Sequence, residues 1–149
     1  MKRIILLAMA TLFAIALISG AEQSKEAKVI SRAKFIRFNT NYNVYTGDAE
    51  MYFYTVPECF EGYKVSLRNL RSPEPLKFKV KQAGYVKIVV AGLPVKKLRS
   101  KGWTEINSLH LATPNGEVGG KVLVLEKKLG IGDYSVPSEG NFGVRLLVQ

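Results

Sequence analysis

Apolar and polar side chains alternate with a period of two over much of this chain, the signature of half-buried strands rather than helices. The clearest stretch is 76–81, where Leu76, Phe78 and Val80 fall on one side and Lys77, Lys79 and Lys81 on the other. After the short turn Gln82, Ala83 and Gly84, residues 85–90 repeat the alternation, so the two runs read as an antiparallel hairpin. Further strands are predicted at 34–38, at 51–56 (stopped by Pro57), and at 104–111, 121–126 and 144–148. Glycines and prolines punctuate the intervals, among them Gly92, Pro94, Pro114, Gly116, Gly130 and Gly132. Only 93–101 hints at a helix, of one or two turns. There is no room for βαβ crossovers and no glycine-rich phosphate loop. The expected fold is therefore all-β: a single antiparallel β-sandwich, immunoglobulin-like or jelly-roll-like, with seven to nine short strands and at most one short helix.

The first 33 residues follow a different pattern. Lys2 and Arg3 precede an uncharged apolar run, Ile4 to Ile18, and then Ser19, Gly20 and Ala21. This arrangement predicts a secretory signal peptide over 1–21, cleaved after Ala21. The run falls short of the roughly 20 apolar residues that a spanning helix needs, so no transmembrane anchor is expected after cleavage. Polar residues dominate 22–33, which is expected to be a flexible lead-in, leaving 34–149 as one sandwich domain.

Composition then limits the chemistry. The chain has 149 residues, 47% of them hydrophobic, which is too apolar for a disordered polyelectrolyte and suits one domain. A single cysteine excludes an intrachain disulfide, and one histidine beside it excludes multi-ligand zinc centres. An exported domain without disulfides fits a bacterial periplasmic or secreted protein that relies on its core. His110 lies in a strand with no Gly-x-Ser-x-Gly elbow in the chain, and Cys59 follows Pro57 and Glu58 in no recognisable nucleophile context. The carboxylates are dispersed, without the paired placement that glycoside hydrolysis demands. No enzyme activity, metal or cofactor is expected.

Two surfaces remain as candidates. There are 22 Lys and Arg against 12 Asp and Glu, a formal charge of +10, of which a cleaved leader removes two. In the hairpin register, Lys77, Lys79, Lys81 and Lys87 share one sheet face, opposite Phe78, Val80, Val86 and Ile88. Like charges facing each other across a sheet are mildly destabilising, so such a cluster suits an anionic ligand, although strand lysines also serve simply to deter edge pairing. The second surface is aromatic: Tyr52 and Tyr54 share a strand face, Trp103 follows Gly102, and aromatic rings offer stacking platforms for sugars. Nucleic acid is not an expected partner, because export and the lack of an interleaved basic–aromatic RNA motif argue against it.

From Tyr52 onward the order of features resembles a family of β-sandwich accessory domains found in secreted bacterial polysaccharide-degrading proteins, attached to glycosidases, lyases and sulfatases. The matching pieces are Tyr54, Thr55, Val56, Pro57 and Glu58 with Phe60, Glu61 and Gly62; the alternation over 76–90; the segment from Leu98 to Gly102 and Trp103; and the glycine-rich close from Leu129 to Gly143. Where that family carries an Asn- and Asp-rich stretch, this chain has Leu67, Arg68, Asn69, Leu70, Arg71 and Ser72. The resemblance implies a sandwich fold and an extracellular carbohydrate context, and transfers no catalytic residue. The resulting expectation is a secreted, non-catalytic module that binds polysaccharide, in particular acidic polysaccharide, or an anionic envelope component. The alternative is a structural or protein-interaction domain that docks on a partner surface enzyme.

Overall fold

The most continuously apolar runs of the sequence, Ile88 to Val90, Val122 to Leu125 and Val144 to Leu147 with its single Arg145, belong to strands buried on both faces. A strand half-exposed to water would alternate instead. The computed structural model describes residues 25–47, 49–70 and 72–149; the predicted leader at 1–21 and the first three residues of the lead-in lie outside them. Among these residues the strands are β1 (Lys28–Ile30), β2 (Phe35–Arg37), β3 (Tyr45–Thr46), β4 (Tyr52–Phe53), β5 (Lys64–Ser66), β6 (Arg68–Asn69), β7 (Leu76–Gln82), β8 (Gly84–Val90), β9 (Thr104–Ala112), β10 (Val118–Leu129), β11 (Gly132–Val136) and β12 (Val144–Val148). One helix, α1 (Pro94–Ser100), follows β8, and a single 3₁₀ turn spans Glu58–Phe60. Pro94 suits the first turn of α1, where its missing N–H has no partner to lose.

The fold is all-β and sandwich-like, as expected, but with more strands and three sheets. A seven-stranded sheet runs β2-β5-β12-β8-β10-β9-β4, a three-stranded sheet runs β1-β7-β11, and β3 and β6 form a small parallel pair. The predicted hairpin of 76–81 with 85–90 does not form. β7 pairs with β1 and β11, whereas β8 pairs with β10 and β12 in the large sheet. The period of two correctly sends Leu76, Phe78, Val80, Val86, Ile88 and Val90 into one core. It cannot distinguish a hydrogen-bonded neighbour from a strand facing it across a sandwich, because both arrangements bury the same residues.

The large sheet therefore separates two cores. On one side the three-stranded sheet and α1 enclose Phe78, Val80, Ile88, Leu98, Trp103, Leu125 and Leu146. On the other, the chain from Phe38 to Tyr63 closes over Val65, Val89 and Val124 with interlocking rings. Phe38 meets Phe53 edge-on at 4.8 Å, and Phe60 meets Tyr63 at 5.6 Å, geometries that match the ring quadrupoles.

The expected flexible lead-in is a second correction. From Lys25 the chain pairs with β8: Ala27 N donates to Tyr85 O at 3.0 Å and Tyr85 N to Lys25 O at 2.9 Å. It then crosses over to β7 as β1. Gly84 permits this crossing, since a Cβ there would lie 2.5 Å from Lys25 O and 2.6 Å from Ala27 N. Polar composition hid the strand because only Val29 and Ala27 face the core, while Lys28 and Ile30 point outward.

Candidate functional site

Strand β7 places Lys77, Lys79 and Lys81 on the outer face of the three-stranded sheet, with Leu76, Phe78 and Val80 pinned into the core beneath. On β11, Asp133 lies opposite Lys79 and Ser135 opposite Lys77. The Lys79–Asp133 pair is 3.5 Å apart and exposed, so solvent screens it strongly. Ser31 Oγ donates to Lys77 O at 2.9 Å, which holds the 31–33 turn over the strand. On the other side come residues 67–69 and 72–75. Between these walls lies a groove of about 1160 Å³ whose charged lining is Arg32, Arg68, Lys77 and Lys79 against Glu74 and Asp133.

Tyr134, opposite Phe78 on β11, stacks on it with ring centroids 5.6 Å apart and planes at 19°, so its ring packs on the core side of the small sheet and borders the groove from the face opposite Lys77 and Lys79. The Tyr134 hydroxyl donates to Gly130 O at 2.9 Å, which fixes the ring's orientation.

Of the lysines expected to act together, the structure joins Lys77 and Lys79 in this groove and leaves Lys81 exposed on the same sheet face. Lys87 is elsewhere, and this corrects its assignment. Being on β8, it points to the opposite side of the large sheet, where it pairs with Glu26 at 2.5 Å and lies over the Tyr63 ring at 5.8 Å. Glu126 stands 3.9 Å away. Tyr63 also donates to Glu26, and burial first, then that carboxylate, pushes the phenol well above its ordinary pKa. Lys87 thus anchors the N-terminal segment.

The expected aromatic surface is divided as well. Trp103 is only 6% exposed and fills the core beside Leu98, so it offers no platform. Tyr52 is half-buried and Tyr54 49% exposed, but Tyr52 sits on β4 at one edge of the large sheet with Tyr54 just after it, and neither lines the groove. His110 and Cys59 are exposed and belong to separate elements, β9 and the 3₁₀ turn. Among the described residues no cluster of three or more His, Cys, Asp or Glu could hold a metal ion.

Sequence reasoning missed the inner end of the groove. Arg68 on β6 reaches it with a guanidinium that donates to Ser138 Oγ and Ser72 O. Behind it stands Arg145 of β12, completely buried, whose Nη1 donates to Val44 O and, at 3.4 Å, to Ser66 O. Its guanidinium lies 4.3 Å from the Phe142 ring centre and 4.9 Å from that of Tyr45, two cation–π contacts. Burial pushes the Arg145 guanidinium down to about 9, with the Arg68 charge acting in the same direction. Burial also lowers Arg68, and it raises Tyr45. The only sequence signal was a lone arginine inside the apolar run 144–148.

No protein-family model, characterised protein or solved structure matches this chain. What the site does must be read from its own chemistry. No helix among the described residues is long and apolar enough to cross a membrane.

Proposed function

We propose that this protein is an exported, non-catalytic β-sandwich module that holds an acidic polysaccharide, or a similarly anionic glycan of the cell envelope, in the groove beside β7. The observation that carries the reading is the charged lining: Arg32, Arg68, Lys77 and Lys79 outnumber Glu74 and Asp133. At about 1160 Å³ the groove exceeds the ~300–1,000 Å³ of ordinary small-molecule sites, so it suits an extended ligand. Carboxylate or sulfate groups would meet these cations while the sugar hydroxyls reach polar neighbours such as Ser31, Asn69 and Ser135. This matches the carbohydrate context implied by the family resemblance, and export rests on the basic start and apolar run at the N-terminus.

Affinity electrophoresis through gels containing polygalacturonate, heparin or neutral dextran tests the proposal. The protein should be retarded by at least one charged glycan and not by dextran, with retardation falling as salt rises. Lys77→Glu with Lys79→Glu should abolish it, because both residues lie on an outer sheet face and their replacement spares the core. Equal mobility of wild type and double variant in every charged gel would refute the reading.

One observation favours the second reading, docking on a partner enzyme. β4 covers only Leu111 and Ala112 of the β9 edge, with Tyr54 N donating to His110 O, so the edge from Thr104 to Leu109 has no strand beside it among the described residues. A bulge at Ile106, however, throws that edge out of register, a device that discourages strand addition. The groove is therefore the better supported site.

A further inference from the structure

Four cations among the described residues form ion pairs, Lys79 with Asp133, Lys87 with Glu26, Lys97 with Glu139 and Arg99 with Glu105, and the unpaired ones are mostly exposed to water. Arg68 and Arg145 stand together without an acid. Glu74 is the acid whose charge reaches Arg68, yet it forms no ion pair with it. Three buried donors, Arg68 Nε and Arg145 Nε and Nη2, make no well-formed hydrogen bond, the Tyr45 hydroxyl being the one polar side chain that also acts on the Arg145 guanidinium. Buried donors are almost always satisfied, and a buried charge without a partner is among the costliest features a fold can keep. Fully buried Arg145 and half-buried Arg68, hydrogen-bonded to neutral oxygens and with no acid to neutralise either, stand side by side with Arg68 opening on the groove, which indicates that the positive charge is there to be used.

We propose that the Arg68 end of the groove is an oxyanion subsite, which seats one carboxylate or sulfate group of the glycan on the Arg68 guanidinium while Arg145 contributes a second positive charge from behind. The inference rests on the glycan reading and specifies its chemistry. An arginine fork matches the planar, two-oxygen face of a carboxylate and the oxygens of a sulfate ester in a way that a lysine cannot. The fork is held in place: Ser138 Oγ, which also accepts from Val144 N at 2.7 Å, and Ser72 O fix its two terminal nitrogens. Gly143, at φ +68°, lets it settle against the backbone, since a Cβ there would collide with the Arg68 guanidinium and Ser138 Oγ. Arg145 is fully covered and does not touch the ligand. It is a positioning charge, kept in the interior by the Phe142 and Tyr45 rings, and its field adds to that of Arg68 in surroundings too dry to screen it.

Calorimetric titration with three oligosaccharides of equal length tests this: a galacturonate tetramer, a heparin-derived sulfated tetramer and neutral maltotetraose. Arg68→Gln should weaken the bound charged probe about tenfold or more, the loss of one charge-assisted bidentate contact. Arg68→Lys, which keeps the charge but not the fork, should weaken it at least threefold, and Arg145→Met about threefold with a smaller salt dependence. The probe that depends on Arg68 distinguishes carboxylate from sulfate. If Arg68→Gln does not fold, Arg68→Lys decides alone, and an unchanged affinity overturns the subsite. If Arg68→Gln and Arg68→Lys bind as wild type while Lys77→Glu with Lys79→Glu does not, the glycan reading stands and the subsite falls. If all variants bind alike, both fall.

Discussion

Gly84→Ala would separate the N-terminal segment from the body of the protein. A Cβ at this position meets backbone atoms on both sides of Glu26, at 2.5 Å from Lys25 O and 2.6 Å from Ala27 N, so no side-chain rotation can relieve it. If the segment stays docked, the overlap costs about 1–3 kcal/mol, the usual range for overpacking. If it leaves, the protein loses the two backbone hydrogen bonds between Tyr85 and residues 25 and 27, at about 1 kcal/mol each. It also loses the partly buried contacts of Glu26 with Lys87 and Tyr63. The cheaper response sets the measured value, so a destabilisation of about 1–3 kcal/mol is expected, or roughly 4–12 °C in Tm for a domain of this size. Urea denaturation measures the loss, and amide hydrogen exchange should show protection falling first at 25–30. Gly130→Ala, where an added Cβ meets nothing within 4 Å, is the control and should change stability by less than about 0.5 kcal/mol. A Gly84→Ala protein as stable as that control, with 25–30 still protected, would refute the reasoning.

Other substitutions probe the two cores and the buried arginine. Arg145→Met keeps volume but removes an unpaired buried charge, so at neutral pH it should match or exceed wild-type stability by about 1–3 kcal/mol in urea melts. Because the Arg145 pKa falls to about 9 in the folded state, the unfolded chain holds the extra proton above that pH. Wild type should therefore gain stability as pH rises past 9, a gain Arg145→Met lacks. Tyr45 and Tyr63 act oppositely: their raised values mean that unfolding releases protons above pH 10, so stability should fall there in both proteins. Glu26→Gln leaves Lys87 mostly buried with only Glu126 at 3.9 Å and should cost about 1–3 kcal/mol in the same melts. Trp103→Ala should cost about 3–5 kcal/mol by opening a cavity in the core, whereas Tyr54→Ala should leave stability within about 0.5 kcal/mol and glycan retardation unchanged.

The strand positions were legible wherever side chains alternate, as in 76–81, or run continuously apolar, as in 144–148. They were not legible in two-residue strands such as β3 and β6, too short to show any period, nor in β11, whose Gly132, Asp133 and Ser135 look like a loop. Lys77 and Lys79 were readable as a shared face because both stand on one strand. Lys87 was misplaced because period alone does not say which sheet a strand joins. The groove's other charged members, Arg32 in the turn after β1 and Arg68 on β6, come from segments far apart in sequence that only the tertiary fold brings beside β7. Arg145 looks like a typical exposed residue of an edge strand, yet β12 lies between β5 and β8, with both faces covered.

A titration of the isotope-labelled protein with an acidic oligosaccharide, followed by amide chemical shifts, locates the ligand on the molecule. Binding in the groove predicts that the largest shifts fall at 30–33, 67–69, 74–79 and 132–135, with those around Tyr52, Tyr54 and Lys87 unmoved. Shifts confined to β4 and the β9 edge, or none up to millimolar ligand for uronate and sulfated oligosaccharides alike, would contradict it.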